Sequence, residues 1–240
     1  MILPKSAAIV VVIAFMAAAV LASAAPAQQP VAAAQPCPPG FQSIMPDEQL
    51  RGWQGAFANP TTVHRIGRLR MNRLQRLADA DMLVHWDVQN GILRHDGRGK
   101  NIATVCEFRN FELLLEYQLT PGADTGVFLR GAPQVQIWDA TAGRAGEGIG
   151  SGGLHHNRRH PSKPTALADR PPGEWNELLI RMQDDAVTVV LNGVTVTDRV
   201  PLENHWAPGE RLPASGPIEL QGGGGAVSFR NICLRGLPDE

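Results

Sequence analysis

Residues 187–198 read VTVVLNGVTVTD, two runs of mostly β-branched residues joined by Asn192-Gly193. An Asn-Gly pair between such runs favours a type I′ turn, because that turn needs a positive φ angle at both central positions. Comparable short runs recur along the chain with Gly and Pro between them, and no βαβ rhythm interrupts them. The sequence therefore predicts an all-β jelly-roll β-sandwich built from two antiparallel sheets. The predicted strands lie near residues 86–93, 101–107, 111–119, 126–130, 134–138, 174–182, 186–191, 194–199, 218–221 and 226–235.

One stretch follows a helical period instead of a period of two. Residues 61–79 place apolar side chains near helical spacing with arginines on the remaining faces, which predicts one minor helical insertion. The insertion is either a surface helix with solvated arginines or a site for an anion or a partner. The apolar residues are Val63, Ile66, Leu69, Leu74 and Leu77, and the arginines are Arg65, Arg68, Arg73 and Arg76.

Charge and composition exclude several classes of protein. The chain has 22 Lys and Arg against 23 Asp and Glu, whereas a nucleic-acid-binding protein normally carries a basic surplus. Hydrophobic residues make up 43% of the chain, which excludes a disordered polypeptide. The 3 cysteines are too few for a disulfide scaffold, and their odd number leaves at least one unpaired. Whether Cys37, Cys106 and Cys233 include a disulfide or are all free thiols stays open at this level.

The N-terminal residues are predicted to lie outside the folded domain. Residues 7–21 form an apolar run shorter than a membrane span, and Ala22-Ser23-Ala24 offers the small residues of a signal-peptidase site. We therefore assign residues 1–24 to a signal peptide, residues 25–39 to an Ala/Pro-rich tether and residues 40–238 to the jelly-roll domain. Periplasmic or secreted localisation follows, with no membrane span after cleavage. An uncleaved N-terminal anchor is the alternative.

Side-chain alternation gives each predicted strand one apolar face for the core and one polar face. The polar faces collect groups that make fixed hydrogen bonds or a flat apolar contact, which suit sugar hydroxyls and a pyranose ring. We predict that these groups line one ligand-binding groove roofed by the long loop 140–173, with an ordinary solvated sheet face as the alternative. The residues are Glu116, Arg130, Gln136, Trp138, Gln221 and Arg230.

The loop 140–173 carries the densest polar cluster in the chain, GGLHHNRRH over residues 152–160. His155 and His156 are candidates for a catalytic or substrate-clamping role. Neutral imidazoles together with Asp139 could also hold a divalent metal, although the spacing matches no established metal motif. A solvated basic loop is the third alternative. We therefore assign no metal ligand and no required cofactor.

Several blocks of the chain keep a characteristic order and spacing. They are Gly52-Trp53, WDVQNGIL (86–93), FRNFELLLEYQL (108–119), DTGVFLRGAPQVQIWD (124–139), PPGEWNELLI (171–180), VVLNGVTVTD (189–198) and GPIELQGGGGAVSFRNICLRGL (216–237). Together they resemble the 3-keto-disaccharide hydrolase domain family, also described as 3-keto-glucoside 1,2-lyase and 3-keto-2-hydroxyglucal hydratase. The resemblance runs from about residue 41 to residue 237 and implies a concanavalin-A-like jelly-roll fold.

That resemblance also implies a carbohydrate-active enzyme, a hydrolase or lyase, that cleaves the glycosidic bond of 3-keto-glycosides by elimination and hydration, and the predicted signal peptide implies that it is exported. A ketone at C3 acidifies the hydrogen on C2, so the site needs a base, a group that stabilises the enolate and an acid. Asp139, His155 or His156 would serve as base or acid, and Arg130 would stabilise the oxyanion. The oligosaccharide or glycoside substrate would be bound by Glu116, Gln136, Trp138, Gln221 and Arg230. A non-catalytic carbohydrate-binding module is the main alternative, and a structural domain is the third.

Overall fold

Two antiparallel β-sheets make up the protein over residues 36–143 and 148–239, the part of the chain that the computed structural model describes. The predicted signal peptide and most of the predicted tether lie outside these residues, so their assignment stays a prediction. Within the described ranges, no helix combines the length and the apolar character that crossing a membrane requires.

The predicted fold class is confirmed. A larger sheet of 8 strands has the order β11-β10-β9-β6-β13-β4-β3 with β1 beside β13, and a smaller sheet of 5 strands has the order β2-β5-β12-β7-β8. In chain order the strands are β1 (Gln42–Ser43), β2 (Trp53–Gly55), β3 (Trp86–Gln89), β4 (Ile92–Gly97), β5 (Ile102–Thr104), β6 (Phe111–Leu119), β7 (Asp124–Leu129), β8 (Gln134–Trp138), β9 (Trp175–Gln183), β10 (Ala186–Leu191), β11 (Val194–Pro201), β12 (Ile218–Leu220) and β13 (Gly225–Gly236). The helices are α1 (Pro60–Val63) and α2 (Arg68–His85).

The two sheets share one apolar core. Leu113 and Leu115 of β6 face it from the larger sheet, Val127 and Leu129 of β7 face it from the smaller sheet, and all of them are fully buried. The residues between them on each strand point away from the core, as the alternation predicts. The outward faces of the two sheets therefore lie on opposite sides of the sandwich, and this decides which polar residues can share a site.

The helical insertion covers an edge of the smaller sheet. The N–H of Gly55 on β2 donates to Asp79 Oδ1 at 3.0 Å, and its carbonyl accepts from Gln75 Nε2 at 3.0 Å. A Cβ at Gly55 would lie 2.1 Å from the Ala78 carbonyl oxygen, so only glycine lets α2 approach this closely. The predicted helix over residues 61–79 is thus present, but it is split after α1 and runs on to His85. Polar side chains of α2 cap an edge strand that would otherwise offer unpaired backbone groups.

A disulfide joins Cys37 to Cys233 and leaves Cys106 as an exposed free thiol. The bonded cysteines are 196 positions apart, and Cys233 lies on β13 opposite Ser43 of β1. The bridge therefore fastens the first described residues of the chain to the last strand. It also answers the question that the odd number of cysteines left open.

Replacing Cys37 by Ser should lower the free energy of unfolding by about 2 to 4 kcal/mol, because the bridge restricts a very long loop in the unfolded chain. Urea denaturation with and without reductant measures the effect. Cys106→Ser is the matched control and should leave the midpoint unchanged. A Cys37→Ser midpoint equal to that of the oxidised parent would show that the bridge adds no stability.

Candidate functional site

Glu116 and Arg230 do not share a surface with the other predicted ligand-binding residues. They lie on β6 and β13 of the larger sheet. Gln136, Trp138 and Gln221 lie on or directly after strands of the smaller sheet. Because the polar faces of the two sheets look in opposite directions, the prediction that one groove holds all these residues is wrong.

The side chains of Glu116 and Arg230 satisfy each other. Arg230 Nη2 lies 2.6 Å from Glu116 Oε2, and the guanidinium carbon lies 4.1 Å from the centroid of the Trp175 ring. Asn231 Nδ2 donates to the second carboxylate oxygen at 2.5 Å. Charge-assisted bonds of this kind between neighbouring strands hold the larger sheet together, and they leave little hydrogen-bonding capacity for a sugar.

Arg130 lies at the end of β7 with its side chain buried, 3% exposed. Its guanidinium donates to the Arg109 carbonyl at 2.6 Å and to the Asp184 carbonyl at 2.7 Å. Further bonds reach the Pro213 carbonyl at 3.2 Å and Asn110 Oδ1 at 3.2 Å. Arg130 thus connects three loops of the protein, and its φ of 54° marks a constrained turn. These contacts leave few of its five N–H groups for an oxyanion.

Arg130→Ala should lower the free energy of unfolding by about 3 to 5 kcal/mol, because it leaves buried carbonyl groups without hydrogen-bond donors. Arg130→Lys should recover little of this loss, since one ammonium cannot reach carbonyls on three sides. Urea denaturation measures both variants, with the exposed Arg158→Ala as the control. An unchanged midpoint combined with lost turnover would favour the predicted oxyanion role instead.

Asp139 caps the turn that begins the loop 140–173. Its Oδ1 accepts from the N–H and the hydroxyl of Thr141 at 2.8 and 2.6 Å, and its Oδ2 accepts from the Gly122 N–H at 2.8 Å. Burial alone would raise the pKa of Asp139, but these hydrogen bonds outweigh it and hold the pKa below its ordinary value. A carboxylate stabilised in this way is a weak base, so the contacts favour a structural role over the predicted catalytic one.

Part of the loop 140–173 continues the smaller sheet and does not roof a groove. The Gly152 N–H donates to the Gln136 carbonyl at 2.8 Å, and the Gly153 carbonyl accepts from the Gln136 N–H at 2.9 Å. The side chain of Gln136 is held as well, since its Nε2 donates to Asp124 Oδ1 at 2.6 Å and its Oε1 accepts from Gln134. Gln136 therefore organises the end of the sheet beside β8.

His155 and His156 belong to a row of rings beside β8. The centroids of Trp138 and His155 are 5.3 Å apart, and those of His155 and His156 are 5.2 Å apart. The row continues to His205 at 4.1 Å and from there to Trp206 at 4.9 Å. Trp138 is only 8% exposed, which leaves its ring little surface for stacking on a sugar, whereas Trp206 is 37% exposed.

The electrostatics of this row favour a neutral His156. Burial, reinforced by His205, His155 and Arg158, lowers the pKa of His156 to about 4. His160 is not part of this row, and its Nδ1 lies 3.1 Å from Glu203 Oε1. Within the described ranges, no group of three or more His, Cys, Asp or Glu side chains could hold a metal ion. The arrangement therefore gives no support to a metal site built from the loop histidines and Asp139.

The open site lies on the outward face of the smaller sheet. The pairing of its strands sets Gln54, Ala103, Glu219, Phe128 and Gln134 in one row across β2, β5, β12, β7 and β8. Their neighbours along the strands, such as Leu220 and Val127, are fully buried in the core, so this row points outward. It forms the floor of a groove with Glu219 at its centre.

The groove has two lobes that meet at Glu219. One lobe has a volume of about 660 Å³ and is lined by Gln54 and Arg211, among others. The other has a volume of about 420 Å³ and includes Lys100 and Trp206. The segment 56–59 borders both lobes and brings the ring of Phe57 to their rim. The walls therefore combine aromatic rings with amide and cationic groups, as sugar-binding surfaces do.

Glu219 is the electrostatically unusual group of the groove. Burial raises its pKa to about 7, opposed only by a hydrogen bond from Asn101 Nδ2 to Oε1 at 2.7 Å. No Lys, Arg or His in the described part of the chain forms an ion pair with it. A carboxyl that titrates near neutral pH and lies in a groove is suited to accept or donate a proton.

Two amide groups on the same outward face as Glu219 each have a buried acceptor without a partner among the described residues. Gln221 lies two residues further along the chain, and its Oε1 is buried without a hydrogen-bond partner in the described structure. The same holds for Oε1 of Gln134 in the floor row. A buried acceptor without a donor is costly, and an internal water molecule would satisfy it. Of the predicted site residues, Arg130 lines the larger lobe with its guanidinium already bonded, whereas Gln221 shares the outward face with Glu219 but lines neither lobe.

Glu219→Gln should raise the free energy of unfolding at pH 8 by about 2 to 3 kcal/mol. The folded state binds the carboxyl proton more tightly than the unfolded state does, so stability falls as the pH rises from about 4.5 to about 7. Gln cannot ionise, so the variant does not pay the free-energy cost of burying a charged carboxylate. Its amide oxygen can still accept the hydrogen bond from Asn101.

Urea denaturation at pH 4 and pH 8 measures this effect. The parent and Glu219→Gln should unfold at nearly equal urea concentrations at pH 4 and separate at pH 8. The exposed Glu177→Gln on the larger sheet is the control and should show no such separation. Parallel pH profiles for the parent and Glu219→Gln would contradict the raised pKa.

Sequence reasoning overlooked Glu219 as a site residue, although alternation already placed it on the same outward face as Gln221. What the sequence could not supply is the strand order. Only the pairing of β12 with both β5 and β7 shows that Glu219 lies in the middle of the smaller sheet, bordered by Asn101 and Phe128.

Comparison with known families identifies one match. Residues 40–235 match the family described as the 3-keto-alpha-glucoside-1,2-lyase-like domain. Comparison with curated proteins gave no match.

Solved structures share the fold. A Parabacteroides distasonis ATCC 8503 protein, provisionally described as a glycosyl hydrolase, is 24% identical with a TM-score of 0.62, covering 83% of this chain and 84% of that one. Another from the same organism with the same description is 18% identical with a TM-score of 0.61, covering 83% and 95%. A third is 27% identical with a TM-score of 0.54, covering 64% and 91%.

Proposed function

The chain belongs to the 3-keto-alpha-glucoside-1,2-lyase-like domain family, a carbohydrate-active family, and on that premise we propose that it cleaves the glycosidic bond of 3-keto-glycosides. The observation that carries the proposal is Glu219, a carboxyl that titrates near pH 7 at the centre of a sugar-sized groove. A non-catalytic module would need the groove but would have no use for a proton-transfer group with this pKa.

The chemistry begins at C2 of the sugar. The C3 ketone acidifies the C2 hydrogen, and the ionised Glu219 removes that proton while the C1–O bond breaks and a C1=C2 double bond forms. The proton passes from Glu219 to the departing oxygen, which leaves as an alcohol. Water then adds across the double bond, with hydroxyl at C1 and hydrogen at C2. The net result is hydrolysis, and release before hydration would make the same site a lyase.

The groove supplies the remaining requirements. Lys100 and Arg211 line opposite lobes, so each lobe offers a cation to the oxygen on which enolate charge develops. Trp206 and Phe57 offer flat apolar surfaces to sugar rings, while Gln54 in the larger lobe offers an amide to a hydroxyl. The two lobes on either side of Glu219 would let sugar units lie on both sides of the cleaved bond.

A carbohydrate-binding module is the second candidate, favoured by the exposed ring of Trp206 at the groove wall. The same groove would then hold a glycan without cleaving it. Under either function we also propose export to the periplasm or secretion. The Cys37–Cys233 disulfide supports it, because such bonds persist in oxidising compartments.

The decisive experiment incubates the protein with a 3-keto-disaccharide and with its unoxidised parent, with and without a chelator, and identifies the products. We expect cleavage of the keto sugar only, with kcat/KM rising through a pKa near 7 because the base must be ionised. Glu219→Gln should lower kcat by about 100-fold or more.

Glu177→Gln removes an exposed carboxylate from the larger sheet and should keep full turnover. Binding of the keto sugar without cleavage by the parent protein would favour the module. Cleavage that survives in Glu219→Gln would place the base elsewhere, and loss of activity with chelator would add a metal to the site.

A further inference from the structure

The solvent side of α2 is unusually apolar for an exposed helix. Leu69 is 87% exposed, Val84 72%, Leu83 63% and Leu77 60%. The residues that α2 buries against the sandwich are Ala78 and Met82, on the other side of the helix. These exposed side chains, which we call the α2 apolar face, contribute nothing to the core.

Arginines surround the α2 apolar face. They are Arg68, Arg70, Arg73 and Arg76 on α2 and Arg65 just before it, all exposed. In the described residues none of them forms an ion pair with a carboxylate. The acidic residues of the helix are occupied elsewhere, because Asp79 accepts from the Gly55 N–H and Asp81 from the Lys100 N–H. The outward surface of α2 therefore carries uncompensated positive charge.

Helix stability does not account for this composition. Arg68 and Arg70 lie in the first turn, where the helix dipole disfavours positive charge. Covering the edge of the smaller sheet requires only Gln75, Ala78 and Asp79, which face β2. Exposed leucines add no stability in water either. The outward surface of α2 is thus suited to bind a partner that accepts both cationic and apolar groups.

We propose that the outward surface of α2 docks the protein on an anionic phospholipid surface, without spanning it. Guanidinium groups would pair with lipid phosphates, and the leucine side chains between them would enter the boundary between headgroups and acyl chains. Charge complementarity selects anionic lipid, and the protruding leucines distinguish this surface from one that binds an anionic polymer by charge alone.

Docking would also place the groove close to the lipid surface. Met71 and Gln75 of α2 line the larger lobe, so the groove opens beside the helix that would contact lipid. The protein would then work on glycans held near a membrane surface. The docking proposal does not depend on the catalytic one, because lipid binding and turnover are measured separately.

Vesicle flotation tests the proposal. The chain from Ala25 onward is used, because it keeps every described residue and the whole core but lacks the apolar run 7–21, which would insert by itself. We expect it to float with vesicles of phosphatidylcholine and about one third phosphatidylglycerol, and not with phosphatidylcholine alone. High salt should weaken flotation.

Two groups of substitutions separate the contributions. Replacing Arg68, Arg70, Arg73 and Arg76 by Gln should lower the partition coefficient by about tenfold or more, and L69S with L77S should lower it as well. All these side chains are exposed, so unfolding midpoints should stay unchanged.

Controls of matched exposure lie elsewhere on the surface. L167S, at a position 57% exposed, and R158Q with R159Q should leave flotation unchanged. Equal flotation with both kinds of vesicle would overturn the proposal. So would an unaltered partition coefficient in the arginine and leucine variants, which would leave the outward surface of α2 to a protein partner.

Discussion

Every other feature of this protein depends on one constraint, the burial of one face of each strand in a single core between two sheets. Because side chains alternate along a strand, burying Leu113 and Leu115 on β6 turns Glu116 outward, and burying Ile218 and Leu220 on β12 turns Glu219 outward. These two glutamates look identical in a pattern of alternation. The core separates them onto opposite sides of the molecule, where one meets an arginine and the other meets a groove.

The neighbours of a polar group, more than its chemical type, decide its role here. Arg130 has the ideal fork for an anion, yet backbone carbonyls from three loops occupy it. Asp139 has the chemistry of a base, but three hydrogen bonds keep its pKa low. Glu219 is available because, among the described residues, one amide bonds to it and no cation forms an ion pair with it. A polar residue whose hydrogen bonds are already made within the protein supports the fold. A polar residue with unused hydrogen-bonding or proton-transfer capacity can act on a ligand.

Local pattern predicted most of the fold. The Asn192-Gly193 hairpin joins β10 to β11 as predicted, because alternation and turn residues are encoded over a few neighbouring positions. The predicted strand 86–93 is instead a second hairpin, in which Asn90-Gly91 joins β3 to β4. The short strands β1 and β2 were missed, and β5 is shorter than the predicted strand 101–107. Helix α2 extends to His85, beyond its predicted end, because Trp86 enters β3 directly without a Gly or Pro to mark the boundary.

The site was harder to predict because it depends on contacts between distant segments. Gln221 lies on the outward face of the smaller sheet, as alternation predicts, whereas Glu116 and Arg230 belong to the other sheet, and sequence alone did not reveal that separation. The carbonyl groups that accept hydrogen bonds from Arg130 likewise belong to Arg109, Asp184 and Pro213, which converge from distant parts of the chain. Strand order and the use of hydrogen-bonding capacity are properties of the assembled sandwich.

The Cys37–Cys233 bridge has a mechanical consequence. A pull on the chain ahead of Cys37 would not peel away the short strand β1, because the force would pass through the sulfur atoms into β13. That strand is hydrogen-bonded to β6 along one side and to β4 along the other, so the load would be shared among many backbone bonds. Any segment that holds this domain by its N-terminal end would thus pull on an interior strand of the larger sheet.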